Sequence, residues 1–343
     1  MKTQRPFKLQ IAVVIMLGLL SALFVFTGCT KKDDSTSTPT VQAYTNMNDD
    51  TTTQIVASIP RIDLKQVKST GVTLYISVTD QNGHVFSNFN QYNFIIKQVC
   101  VGGTDTTVVG SLNFQQMNQS GKNIATPLIL DYSGSMESYV PDLELAAAKF
   151  IDMKNKSDQA ELIKFSSSIE NVQGFTTDTT ALLKALRSSW SGAFNMTAFY
   201  DAVYMGIDDA NTFVNKSSTS YLPALIGFTD GIDNESVNTM QQVIDHANSN
   251  QIPLYMLGFG SADPVLLTNI AESTGGRYYY TPDITTLQNL FAMISGQLKN
   301  VYLVSWNYSS SGCNQAMIIV EASYTCKTGT YHSRVEKVFT PYK

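Results

Sequence analysis

The sequence predicts an α/β domain built on a doubly wound sheet, flanked on both sides by β segments. Three observations predict it. Between about residues 124 and 300, short apolar runs alternate with amphipathic helical stretches, the mark of a parallel sheet covered by helices. On either side of that region the apolar period is two, as in half-buried strands. Three polar clusters directly follow predicted strands or precede a helix, where open α/β sheets bind ligands.

In the first β segment, Val72, Leu74, Ile76 and Val78 alternate with Thr73, Tyr75, Ser77 and Thr79. Asp80-Gln81-Asn82-Gly83 follows as a turn, with Asn-Gly as its hairpin signal. Further strands are expected at Phe94–Val99 and near Val108–Phe114. In the central region the strand-like runs are Pro127–Leu130, Leu162–Phe165, Ala224–Phe228, Pro253–Phe259 and a weaker Arg277–Tyr280. One helix places Val140, Leu143, Ala147 and Phe150 on a face. A second groups Val237, Met240, Val243, Ile244 and Ala247, and a third Leu287, Leu290, Phe291, Ile294 and Leu298. After Lys299 strands return: Tyr302, Val304, Trp306 and Tyr308 alternate, then Met317–Tyr324 and Tyr331–Phe339 flank a turn at Lys327-Thr328-Gly329. Neither flanking segment is large enough to bury a core alone. They are expected to combine into one discontinuous Ig-like β-sandwich, with the α/β domain inserted.

The N-terminus has the order of an export signal. Lys2, Arg5 and Lys8 precede an apolar run of 16 residues, Ile11 to Phe26, shorter than the ~20 residues a bilayer span needs. Phe26-Thr27-Gly28-Cys29 resembles the bacterial lipobox, which implies cleavage before Cys29 and lipid on its sulfur. Thr30-Lys31-Lys32-Asp33-Asp34 resembles the lysine-plus-acidic export tag of surface-exposed Bacteroidota lipoproteins. Residues 30 to about 53 are polar and Thr-rich and read as a flexible linker.

Composition excludes several classes. Of the 343 residues 15% are charged, and the net charge is −5. Loss of the basic leader deepens that negative charge by three. A nucleic-acid binder needs a basic face, so this class is excluded. Three histidines limit His-based catalysis. Neither Gly-x-Gly-x-x-Gly after the first strand nor Gly-x-Ser-x-Gly is present. His84, His246 and His332 lack recognisable partner motifs and read as structural or solvated. Asp233, Asn234 and Glu235 read as a solvated loop, or as modulators of a nearby ion.

The polar clusters carry the chemistry. Asp131-Tyr132-Ser133-Gly134-Ser135-Met136 follows the first apolar run of the central region. Thr197 precedes the helix starting near Ala198. Thr229-Asp230-Gly231 follows Ala224–Phe228. All offer hard oxygen without Cys or His, a donor set that suits Mg²⁺, with Mn²⁺ as the alternative, over Zn²⁺.

In this order and spacing, Asp131, Ser133, Ser135, Thr197 and Asp230 resemble the von Willebrand factor A-type domain and its metal-ion-dependent adhesion site. The resemblance covers roughly residues 122–300. It implies a six-stranded, mostly parallel sheet with one antiparallel edge strand near Asn171–Phe175. It also implies that a partner's Asp or Glu carboxylate completes the Mg²⁺ coordination. The second loop, Gly192–Thr197, is longer than the family's short Gly-Gly-Thr, and Asn195 is the neighbouring alternative ligand.

Cys100, Cys313 and Cys326 remain once Cys29 is assigned to lipid. Cys313 and Cys326 sit at opposite ends of one predicted strand, too far apart to bridge. A disulfide of Cys100 with Cys313 or with Cys326 is expected, alongside the alternative of three reduced thiols.

The expected organisation is a signal peptide at 1–28, a linker at 29–54, sandwich parts at 55–121 and 301–343, and the A-type domain at 122–300. The expected function is non-catalytic, metal-dependent protein binding or adhesion. The expected location is the outer membrane, surface-exposed, with a periplasm-facing lipoprotein as the alternative; only the N-terminal lipid contacts the membrane. The alternative role is structural, as an assembly subunit of an envelope complex.

Overall fold

The computed structural model describes residues 43–63, 71–117, 120, 122–307, 313 and 315–340. The expected signal peptide, Cys29, the acidic tag, the linker up to residue 42 and Tyr308 lie outside the described residues. The N-terminal segment contributes β1 (Thr45–Asn46), β2 (Ile55–Asp63), β3 (Gly71–Asp80), β4 (Phe94–Cys100), β5 (Thr106–Val108) and β6 (Asn113–Gln116). The first half of the central region contributes β7 (Asn123–Asp131), α1 (Val140–Met153), β8 (Gln159–Phe165), β9 (Ile169–Thr176), α2 (Thr179–Leu186) and α3 (Phe199–Lys216). Its second half contributes β10 (Tyr221–Pro223), β11 (Leu225–Thr229), α4 (Met240–Asn250), β12 (Leu254–Phe259), α5 (Pro264–Thr274), β13 (Tyr278–Thr281) and α6 (Leu287–Lys299). The C-terminal segment adds β14 (Tyr302–Asn307), β15 (Ala316–Cys326) and β16 (Gly329–Phe339).

The central sheet runs β13-β12-β11-β7-β8-β9, with β10 also paired to β7. Only β9 is antiparallel to its neighbour. The sheet therefore has seven strands among the described residues, not the six implied by the resemblance. The addition is β10, whose three residues pair with Asn123–Ala125, too short a run to show a period. Continuous apolar strands suit burial on both faces. Leu128, Leu130 and Leu162 pack with α1, α2 and α6, while Ile129, Ile163 and Phe165 pack with α3, α4 and α5.

Two helix expectations need correction. Val237 lies outside α4 and is 90% exposed. Thr239 caps this helix instead, in a reciprocal capping box with Gln242, a stronger start signal than an apolar residue one turn earlier. Helices α2 and α5 were not expected. Asp178 and Asp263 cap them by accepting from backbone N–H groups two and three residues on.

The flanking segments form two sheets around one core. One runs β2-β3-β14-β6, the other β1-β15-β4-β5 with β16 on the far side of β15. Ile55, Leu74, Ile76 and Ile96 from the first segment meet Val304, Ile318, Val320 and Tyr324 from the last. Strands β6 and β14 pair, Gln116 with Tyr302, so the chain enters and leaves the α/β region side by side. The strand expected near Val108–Phe114 is two short strands in different sheets, divided around Gly110.

Residues 43–54, expected as linker, dock on this core. Strand β1 pairs with Thr325 and Cys326. Asp49 accepts from Thr51 and Thr52, and from the Tyr324 hydroxyl at 2.7 Å. Cys100 and Cys313 form a disulfide, and Cys326 is a buried thiol.

The sheet of β14 also lies against the α/β region. Tyr75, Met117, Val301 and Leu303 join the cluster containing Ile294 and Leu298 of α6. Gln297 Nε2 donates to Gly83 O at 2.9 Å. Arg277 donates to the Thr79 hydroxyl. Gly275 closes α5 at φ +85°, and a Cβ there would lie 2.4 Å from Ile59 O.

Candidate metal centre

The strand order reverses at β7, which lies between its successor β8 and the later β11. Such a reversal opens a crevice at the carboxyl ends of the strands. The register pairs Phe228 with Leu130, so the next residues, Thr229 and Asp131, emerge together. Thr229 Oγ1 donates to Asp131 Oδ2 at 2.6 Å. The Ser133 amide donates to Asp131 Oδ1 at 2.8 Å and folds the first loop back on its own carboxylate.

The residues expected at the site lie at the end of β7 and on three adjacent loops. Ser135 Oγ donates to Asp230 Oδ1 at 2.8 Å, and Ser133 Oγ lies 3.4 Å from Ser135 Oγ. A Cβ on Gly231 would lie 3.8 Å from Thr197 Oγ1. The second loop is held by backbone contacts. The Gly134 amide donates to Asn195 O at 2.9 Å, Asn234 N to Thr197 O, and Ala198 N to Ser166 O. Ser166 Oγ also donates to Ala193 O. Asn195 thus meets the first loop through its main chain.

The supports of this arrangement include Asp233 and Asn234, whose sequence reads as a solvated loop or as modulators of an ion and which instead bond backbone amides. Helix α3 begins without a side-chain cap of its own. Asp233 supplies one from the third loop by accepting from Tyr200 N at 2.9 Å, and Ser236 Oγ accepts from Asp201 N. Asp201 in turn accepts from Val237 N and Asn238 N, and Asn234 Oδ1 from Thr197 N. Asp233 therefore ties the third loop to the start of α3, and Asn234 ties it to the second loop. The run of short polar residues at 230–239 was the available signal, since Asp, Asn and Ser bond readily to backbone amides.

The donor chemistry fits a hard divalent cation. Asp131, Ser133, Thr197 and Asp230 are buried. Burial pushes the Asp131 carboxyl up to about 6; the Ser133 and Thr229 bonds lower it, and the Asp230 charge raises it again. Burial likewise raises Asp230, against the bond from Ser135. Two carboxylates that are costly to ionise side by side gain most from a nearby positive charge. Among the described residues no group of three His, Cys, Asp or Glu side chains is placed to hold a metal. Any cation here would depend on hydroxyl oxygens beside the two carboxylates.

The fold and this oxygen-lined crevice define a class. Residues 127–293 match the family model of the von Willebrand factor type A domain, and the α/β region is a domain of that kind. Solved structures similar to the chain include conserved hypothetical protein BatB from Bacteroides thetaiotaomicron. It is 16% identical over 52% of this chain and 100% of that one, with a TM-score of 0.43. A von Willebrand factor type A protein from Catenulispora acidiphila is 12% identical over 87% and 76%, with a TM-score of 0.45. Proximal thread matrix protein 1 from the mussel byssus, with a zinc-occupied MIDAS motif, is 14% identical over 57% and 49%, at 0.47. No curated protein matches the chain. Among the described residues no helix is long and apolar enough to cross a membrane.

Proposed function

We propose that the protein is a non-catalytic binding module of the bacterial cell envelope that captures a protein partner through a bridging divalent cation. Asp131, Ser133, Ser135, Thr197 and Asp230 hold Mg²⁺, or Mn²⁺ in its place, and a partner's Asp or Glu supplies the remaining oxygen. The observation that carries this reading is the convergence of two buried carboxylates and three hydroxyl side chains from three loops. Neutral hydroxyls leave much of a 2+ charge uncompensated, so an external carboxylate is attracted to it. The match of residues 127–293 to the A-type domain supports protein binding over catalysis, because domains of this family generally bind protein partners.

The rest of the chain serves presentation in this proposal. A lipid on Cys29 anchors the protein to the outer membrane after removal of 1–28, and the stretch from there to about residue 42 acts as tether. The parts at 55–121 and 301–343 form one Ig-like support for the domain at 122–300.

The test is capture of proteins from intact cells and envelope extracts on the full chain, with and without chelator. Capture that is lost on chelation and in Asp131→Ala is the expected result. Partners retained through both treatments would refute the reading. Partners confined to envelope subunits would assign the protein to complex assembly instead of adhesion.

A further inference from the structure

We propose that Lys164, fully buried in β8, is a positioning residue that locks the first and second loops of the site together. The proposal rests on the metal-site reading above and concerns how its oxygens are held.

Lys164 lies on the face of β8 shared with the buried Ala160 and Leu162. A buried ammonium is expensive unless fully paired, and a hydrophobic residue of similar size would suit such a position better. The pairing is correspondingly complete. Nζ donates to Leu186 O and Ser188 O, each at 2.8 Å. It lies 3.7 Å from Glu144 Oε1 of α1 and 4.7 Å from the centre of the Tyr132 ring.

The partners explain the charge. Leu186 and Ser188 end α2 and begin the loop that leads to Thr197, and their carbonyls would otherwise be orphans of the helix terminus. Tyr132 stands between Asp131 and Ser133, and its hydroxyl donates to Glu144 Oε1 at 2.7 Å. Trp190 and Phe194 of the second loop pack on the same ring, with centroids 5.4 and 6.4 Å away. One ammonium therefore meets the root of the second loop, the aromatic spacer of the first loop, and α1. A capping role alone would require only the two carbonyls. The contacts with Tyr132 and Glu144 tie that cap to the residues flanking Asp131.

The test uses the full chain stripped of metal and compares amide hydrogen exchange in the wild type and in Lys164→Met/Glu144→Leu. This pair removes both charges together, at the cost of leaving the Leu186 and Ser188 carbonyls and the Tyr132 hydroxyl without these partners. Exchange at Ser133, at Gly134 and across 189–197 is expected to quicken at least tenfold, while β11 and β12 are unchanged. Mg²⁺ affinity, titrated separately, is expected to fall about tenfold. Tyr132→Phe, which removes only one hydroxyl, is expected to quicken loop exchange about threefold and supplies the test if the double variant does not fold. Unchanged loop exchange in a folded variant would overturn the proposal. A wild type that binds no Mg²⁺ would overturn the metal reading, and the exchange comparison would still decide the role of Lys164.

Discussion

Ser135 Oγ donates a 2.8 Å hydrogen bond to Asp230 Oδ1 across 95 residues of sequence. This contact joins the loop after β7 to the loop after β11. With the bond from Thr229 to Asp131, it draws two buried carboxylates into one crevice. The cost of ionising both is what a divalent cation would offset, and this gives the site an energetic signature as well as a shape.

Asp230→Ala is expected to leave the metal-free protein near wild-type stability, because a desolvated charge is removed with its partner hydroxyl still near solvent. In the wild type, saturating Mg²⁺ is expected to raise the melting temperature. The linkage amounts to about 2.7 kcal/mol at a hundredfold excess over Kd. Asp230→Ala is expected to lose that increment. Melting with Mg²⁺ and with chelator, for both proteins, measures it.

Glu161 gives a pH dependence outside the site. It is buried in β8; Oε1 accepts from Asn171 at 2.6 Å, and Oε2 has no hydrogen-bond partner among the described residues. Burial, with the Asp209 charge adding to it, pushes its carboxyl from 4.5 up to about 8. The folded state therefore holds this proton where the unfolded state has released it. Its contribution to stability is full below pH 4.5 and is lost as pH rises towards about 8. Glu161→Gln is expected to flatten that fall and to gain about 2 kcal/mol at the alkaline end, less than full linkage because the site can relax. Denaturant titrations across that range measure the slope.

Gly275→Ala tests the contact between the α/β region and β2. The site combines φ +85° with an approach of 2.4 Å to Ile59 O, so the methyl group meets both backbone strain and a fixed carbonyl. A loss of about 2–4 kcal/mol is expected, above the roughly 1–2 kcal/mol of left-handed strain alone. Chemical denaturation measures it.

Asp233→Ala removes the cap that the third loop provides to α3. A loss of about 1–2 kcal/mol is expected, in the range of N-cap deletions. Exchange is expected to quicken at the Tyr200 amide, which the carboxylate accepts from. An unchanged Tyr200 amide would show that the cap is not maintained in solution.

Strands of the α/β region were legible because their apolar runs are short, continuous and spaced by helices. The run Ala224–Phe228 became β11 with both ends shifted by one residue. Strand β10 was not legible, since three residues carry no period and gain their place only by pairing with β7. The docking of residues 43–54 was also hidden. Their polar composition reads as linker, and what docks Asp49 on the core is its contact with Tyr324, 275 residues away. In the site, the oxygen-bearing residues stood out by type and order. The supporting roles of Asp233, Asn234 and Lys164 did not, because these side chains act on residues of other elements. Such long-range partners leave no local pattern.

The proposed function requires that the three loops together hold one divalent cation. Calorimetric titration of the metal-stripped full chain with Mg²⁺ tests it most directly, with Asp131→Ala as the reference. Saturable binding of one ion is expected in the wild type and none in the variant. Heats indistinguishable between the two proteins would contradict it.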